Sequence, residues 1–252
     1  MKGIDISKYQ GEIDFHKVKA AGFDFVIIQA GYGKYSYQRD PFFEHYYVSA
    51  KAAGLGVGAY HYSYAVSIDD ARREAEVFAE WIKGKQFDYP VALDIEEEVQ
   101  SRLPASQLGD IVSTFCENME SRGYYVSVYS YAAFLKKIPE TVRSKYDVWV
   151  AHFDVDKPAY SGEYGMWQYT ARGRINGISG DVDCDYAYKD YPEIIKGAGL
   201  NGYEKPEPKP NAPVQPELPK KFPKGDLNED GVVDVEDLAM LSNHINGIKP
   251  LD

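Results

Sequence analysis

Four times in its first half this chain closes a helical stretch on a glycine, at Gly22, Gly54, Gly84 and Gly123, and within a few residues begins a run rich in β-branched or aromatic side chains. Glycine just past a helix end supplies the left-handed cap that residues with a Cβ resist, so each one marks a joint between helix and strand. The strands so placed span residues 25–29, 57–62, 91–96 and 124–129, with a first strand at 3–6 and later ones near 148–151, 166–169 and 182–184. Between them, Ala71, Ala75, Phe78 and Ile82 share one helical face, as do Leu108, Ile111, Phe115 and Met119. Ser67, followed three residues later by Asp70, reads as a helix start. Trp81, on a helix face, is expected in the core. Strands that alternate with covering helices form a parallel sheet, because each parallel return needs a crossover. About eight strands in about 190 residues predict an α/β chain built as an irregular β/α barrel, with parallel strands and covering helices. An open doubly wound sheet is the alternative, but no glycine-rich phosphate loop follows the first strand.

The barrel accounts for residues 1–202. Seven prolines between Pro206 and Pro223, mixed with Lys, Glu and Asn, then give residues 203–224 the composition of an extended linker of roughly 3 Å per residue. Residues 225–252 form a third region. There Asp226, Asn228, Asp230, Asp234 and Asp237 occupy positions 1, 3, 5, 9 and 12 of a loop with Gly231 at position 6. This is the spacing that gathers oxygen donors around Ca²⁺, with Val232 offering a backbone carbonyl at position 7. Leu238, Leu241 and Ile245 mark one face of a following helix, closed by Gly247.

Composition narrows the function. A net charge of -11, from 39 acids against 28 Lys and Arg, repels phosphate backbones and anionic lipid, so neither nucleic acid nor membrane is an expected partner. No apolar run reaches transmembrane length, and the first residues already read as a strand. Cys116 and Cys184 allow a single bridge, with two reduced core thiols as the preferred reading. His16, His45, His61 and His152 do not fall at metal-ligand spacing, and no Ser, His and Asp arrangement suggests a nucleophilic triad.

The chemistry centres on Val91-Ala92-Leu93-Asp94-Ile95-Glu96-Glu97-Glu98. On a strand, side chains two apart share a face, so Asp94 and Glu96 look into one space with their backbones about 7 Å apart. That separation lies in the range of carboxylate pairs that cleave glycosidic bonds. A solvated acidic edge strand is the rival reading on spacing alone.

Together with "GIDISKYQG", "GAYHYSY", "VWVAHF" and "MWQYTARGRINGISGDVDCD", this strand resembles glycoside hydrolase family 25, the Chalaropsis-type lysozymes, over about residues 1–192. The resemblance implies an irregular β/α barrel that hydrolyses the β-1,4 bond between N-acetylmuramic acid and N-acetylglucosamine in peptidoglycan, with no cofactor for catalysis. It assigns Glu96 as general acid and Asp94 as the residue that steadies the reacting 2-acetamido group, with Asp5 and Asp183 as two further acids lining the site. Asp181 and Asp185 flank Asp183, and the Val-Asp match selects 183. Tyr60, Tyr62, Tyr129, Trp149 and Trp167, with Gln168, are expected to contact sugar.

The tail resembles one repeat of a dockerin, where the family normally carries two, and implies Ca²⁺ and a cohesin of a scaffold protein as partners. The chain is expected to act as a monomer outside the cell or in the cell wall, with a signal segment removed or another export route used. Two other classes stay open on the sequence: a catalytically silent peptidoglycan-binding module, and a structural component of a cellulosome-like assembly.

Overall fold

The computed structural model describes residues 1–206 and 223–249, in two compact units divided after Pro206. Most of the segment expected as a linker lies outside the described residues.

In the first unit eight strands close into a barrel in sequence order: β1 Lys2–Ile6, β2 Phe25–Tyr32, β3 Gly56–Tyr62, β4 Val91–Asp94, β5 Val126–Tyr131, β6 Asp147–Ala151, β7 Met166–Gly173 and β8 Val182–Ala187. The principal covering helices are α1 Phe15–Ala20, α2 Phe43–Ala52, α3 Ile68–Ile82, the single turn α4 Glu98–Ser101, and α5 Ala105–Glu120. The short helices α6 Ala132–Leu135 and α7 Glu140–Arg143, and then α8 Tyr191–Ala198, complete this unit. The four joint glycines all have positive φ, and the Ser67 hydroxyl accepts the Asp70 N–H at 3.1 Å to start α3.

The expected all-parallel sheet is corrected at one strand. β1 to β7 pair in parallel, but β8 is antiparallel to both β7 and β1. The reason is connection length: the stretch from Gly173 to Val182 is too short for a crossover helix, which takes about a dozen residues, so β8 folds back as a hairpin partner.

Alternation along the strands divides the core in two. Ile4, Val26, Ile28, Val57, Leu93, Val128 and Val150 point outward to the helices, where Ala71, Phe78, Ile82, Leu108, Phe115 and Trp81 meet them. Phe25, Ile27, Ala92, Trp149, Met166 and Ala187 form a second cluster with Tyr89 and Tyr191. Phe25 stacks on Tyr89 with ring centroids 4.2 Å apart, and a Cβ on Gly3 would lie 2.2 Å from the Phe25 ring. Gly3 is therefore what admits an aromatic plug at the end of the barrel where the parallel strands begin. Cys116 and Cys184 are free and buried.

Tyr203, placed by composition at the start of the linker, donates its hydroxyl to Asp88 at 2.7 Å. In the second unit α9, Val235–Ile245, starts on Asp234, whose side chain accepts from the Glu236 N–H. Leu238, Leu241 and Ile245 are exposed along it.

Candidate active site

At the opposite end of the barrel from its aromatic plug the interior turns polar. A cavity of about 410 Å³ opens there, lined by Asp5, Asp94, Glu96 and Asp183 with Tyr60, Tyr62, Tyr129, Trp149 and Gln168. Nine of the expected catalytic and sugar-contacting residues are thus brought together. Trp167 is not among them: it lies on the other face of β7, packs on Tyr169 and Tyr186, and donates its Nε1–H to the His152 carbonyl at 2.8 Å.

Asp94 and Glu96 do share one space, though not on one strand. β4 ends at Asp94, and Glu96 stands on the loop leading into α4. That loop is held by three consecutive residues of β5. The Ile95 N–H donates to the Tyr129 carbonyl at 3.1 Å, Ser130 Oγ donates to the Ile95 carbonyl at 2.6 Å, and the Tyr131 hydroxyl donates to the Glu96 carbonyl at 3.1 Å. Behind the loop, the fully buried Gln100 accepts the Glu97 N–H at 3.0 Å and donates to the carbonyls of Ser63 and Ala65 at 3.0 and 3.1 Å. Ser63 in turn donates to the buried Glu74 at 2.6 Å. Glu96 is therefore placed by contacts to β5 and by a polar lock to the segment that follows β3.

Across the cavity, Asp5 on β1 sits directly opposite Asp183 on β8, and Asp185 lies two residues along on the same face. The Gln168 amide donates to Asp5 at 2.7 Å while its oxygen accepts the Tyr129 hydroxyl at 2.7 Å. Trp149 Nε1–H donates to Asp185 Oδ1 at 2.8 Å. Asp185 is fully buried, its other oxygen has no hydrogen-bond partner among the described residues, and its charge opposes ionisation of Asp5. Sequence matching set Asp185 aside as a neighbour of Asp183. The signal was present, since Asp183 and Asp185 stand two apart on a strand as Asp94 and Glu96 do in sequence. Tyr9, Gln10, Gln29, Tyr131 and Phe153 also line the cavity, from turns and strand ends whose convergence sequence spacing does not reveal.

Burial and like charge raise every one of these carboxyls. Glu96 is pushed up to about 7, by burial first and then by the charges of Glu97 and Asp183. Asp183 rises to about 6 by burial. Asp185 rises to about 8, burial outweighing the Trp149 hydrogen bond. Asp5 goes well above its ordinary range through burial and then Asp185 and Asp183, and Asp94 does so through burial and then Glu96 and Glu97. Asp94 Oδ1 is buried and accepts no hydrogen bond among the described residues. Among the described residues no Lys, Arg or His lines this cavity.

In the tail, Asp226 accepts the N–H groups of Asp230 and Gly231, and Asp237 accepts those of Leu227, Asn228 and Asp234. The loop is thereby curled around its own acids. Its donors are all oxygens, the set a hard cation takes. Among the described residues no three His, Cys, Asp or Glu side chains are gathered closely enough to hold a metal, so an ion would have to draw these carboxylates together.

A closed α/β barrel carrying clustered, proton-retaining carboxyls at the C-terminal ends of its parallel strands defines a glycosidase-like protein. Comparison with known proteins resolves this further. Residues 4–178 match Glycosyl hydrolases family 25, and the chain belongs to that family. Residues 224–252 match the Dockerin type I domain. The autolytic lysozyme of Clostridium acetobutylicum is 36% identical over 185 residues, which cover 73% of this chain and 55% of that protein. Lysozyme M1 of Streptomyces globisporus is 31% identical over 198 residues, covering 73% of this chain and 66% of that one. The chain thus spans about half to two thirds of the length of these relatives. Among solved structures, the bacterial lysozyme of Streptomyces coelicolor superposes with a TM-score of 0.67 at 29% identity, covering 79% of this chain and 96% of that chain.

Proposed function

We propose that the barrel is a muramidase: it hydrolyses the β-1,4 bond between N-acetylmuramic acid and N-acetylglucosamine in peptidoglycan. The observation that carries this reading is the cavity itself, where a carboxyl held near neutrality, Glu96, shares a wall with a buried carboxyl, Asp94, that has an unpaired oxygen. A general acid must keep its proton at the working pH, and Glu96 does so below about 7. It donates that proton to the leaving glycosidic oxygen. Asp94 Oδ1 is suited to accept the N–H of the muramic 2-acetamido group, which turns the acetamido oxygen toward its own anomeric carbon. Attack by that oxygen displaces the protonated leaving sugar and forms a cyclic intermediate. Water, deprotonated by the now ionised Glu96, opens the ring and restores the anomer. The product therefore keeps the β configuration. Asp5 and Asp183 hold the opposite wall, and Gln168 and Tyr129 orient Asp5. Tyr60, Tyr62 and Trp149 present ring faces and edges to the sugars.

The relatives' names support an extracellular or cell-wall setting, and no helix among the described residues is long and apolar enough to cross a membrane. In the tail, Asp226, Asn228, Asp230, Asp234 and Asp237 with the Val232 carbonyl would hold one Ca²⁺, which would neutralise their mutual repulsion. The dockerin match and the exposed apolar run Val235, Leu238, Leu241 and Ile245 support a cohesin as the tail's partner.

The test is reducing-end release and loss of turbidity with purified Gram-positive walls, followed by proton NMR of the first-formed anomer. Release with β product is expected. Binding to walls without release would leave a silent binding module, and initial α product would reject the acetamido route.

A further inference from the structure

The catalytic cavity continues into a second cleft of about 420 Å³, lined by Lys8, Tyr9, Gln29, Tyr32, Tyr62 and Tyr64. Tyr9, Gln29 and Tyr62 line both spaces, so one ligand can occupy the two at once. Their chemistry is opposite. Among the described residues four carboxyls and no cation line the first, whereas the second has one ammonium and no carboxyl.

That ammonium is placed and unspent. The Lys8 N–H donates to the buried Asp40 at 2.9 Å, and the turn that carries it is closed by Gln10, which accepts the Ser7 N–H at 2.9 Å. Lys8 Nζ stands over two tyrosine rings, 5.4 Å from the centroid of Tyr9 and 5.7 Å from that of Tyr32, and pairs with no carboxylate among the described residues. The neighbouring acids are committed elsewhere. Glu97 accepts the Tyr62 hydroxyl at 2.8 Å, Asp40 accepts two backbone N–H groups, and Asp70 pairs with Lys34. The ring faces strengthen the local positive site without neutralising it, and a carboxylate is what completes such a site with a charge-assisted hydrogen bond.

We propose that this cleft is a carboxylate-recognition subsite in which Lys8 binds an anionic group of the peptide stem borne by the muramic sugar, while Tyr9, Tyr32 and Tyr64 flank the stem. This rests on the muramidase reading. The muramic residue carries its peptide through a lactyl ether, and stem peptides end or branch in carboxylates. An acid-lined cavity repels those groups, and the adjoining cleft supplies the counter-charge. Lys8 is accordingly a specificity residue that touches substrate remote from the scissile bond.

The experiment uses the full chain and soluble stem-bearing glycan strands, in native form and after carbodiimide coupling with ammonia has turned their carboxylates into carboxamides. For the wild type, KM on amidated strands is expected to exceed that on native strands by about three- to tenfold, with kcat little changed. Lys8→Gln should raise KM on native strands to the amidated level and be indifferent to amidation. Lys8→Arg should keep the discrimination, and Lys8→Glu should reverse it. If Lys8→Gln discriminates as the wild type does, or weakens both substrates equally as an uncharged sugar subsite would, the proposal is overturned. Calorimetric binding of both strands to Glu96→Gln and to Glu96→Gln with Lys8→Gln decides the point without turnover. A wild type that binds with discrimination but releases no reducing ends would refute the muramidase reading and leave the subsite standing.

Discussion

Removing the charge of Glu97 while keeping its shape should shift the working pH of the barrel without touching the reacting atoms. Glu97 stands beside Glu96, and its charge is the largest contributor after burial to holding that carboxyl at about 7. In Glu97→Gln the side-chain oxygen can still accept the Tyr62 hydroxyl, and the backbone N–H still donates to Gln100. Like charges roughly 8–16 Å apart, at an effective dielectric of about 20, interact by about 1–2 kcal/mol. Because Glu97 is partly exposed, about half of that is a fair share, which lowers the Glu96 pKa by about 0.4–0.7 unit at 1.36 kcal/mol per unit. Glu96 must be protonated to act, so the alkaline limb of kcat/KM moves down by the same amount. At about pH 8 the variant should be about two- to fivefold slower than the wild type, and the two should coincide at about pH 5. Initial rates of reducing-end release across a pH series at constant ionic strength measure this. An unmoved limb, an upward shift, or an equal loss at every pH would refute the assignment of Glu96 as the acid tuned by Glu97.

Glu96→Gln should abolish wall lysis with the fold intact, and Asp94→Asn should cost at least about a hundredfold in kcat; near-normal turnover in either removes that residue from the mechanism. Gln100→Leu should lower barrel stability by about 2–4 kcal/mol, since it leaves the Glu97 N–H and the Ser63 and Ala65 carbonyls buried without their partner. Denaturant melts that coincide with wild type would show that the lock is dispensable. The barrel should be more stable at about pH 5 than at about pH 8. Folded Glu96, Asp183 and Asp185 bind protons up to about 7, 6 and 8, above the unfolded carboxylate range, so stability falls as pH rises through those values. Below about pH 4 the trend should reverse as Asp88 protonates, a group that burial raises but Lys196, Lys51 and Tyr203 outweigh to hold at about 2. Thermal midpoints that climb steadily from pH 5 to 8 would contradict this. Calcium should add helicity to an isolated peptide of residues 223–252 and leave reducing-end release by the full chain unchanged; equal circular dichroism with calcium and with chelator would reject the site, and activity lost on chelation would reject the independence of the barrel.

Local chemistry is what the sequence determined here. The left-handed caps at Gly22, Gly54, Gly84 and Gly123, the outward aliphatic faces of the strands and the apolar stripe of α3 depend on residues within a turn or two of one another, so period and glycine placement reveal them. Asp94 and Glu96 line one cavity as their spacing implied, although the strand stops at Asp94 and a loop carries Glu96, and the motifs around Asp5 and Asp183 pointed to the same cavity. The direction of β8 was decided by a connection too short for a helix, a limit that strand patterning alone does not express. Trp167 was assigned to the wrong side because neighbours on a strand face opposite ways, and only barrel closure fixed Gln168 as the inward one. Closure also brought Asp185 against Asp5, stood Lys8 over Tyr32 and let Gln100 lock the Glu96 loop to the segment that follows β3. Each of those pairs is far apart in sequence or on separate elements. The upward shifts of Asp5 and Asp185, and the proton retained by Glu96 near neutrality, follow from burial and like charge, which exist only once the strands have met.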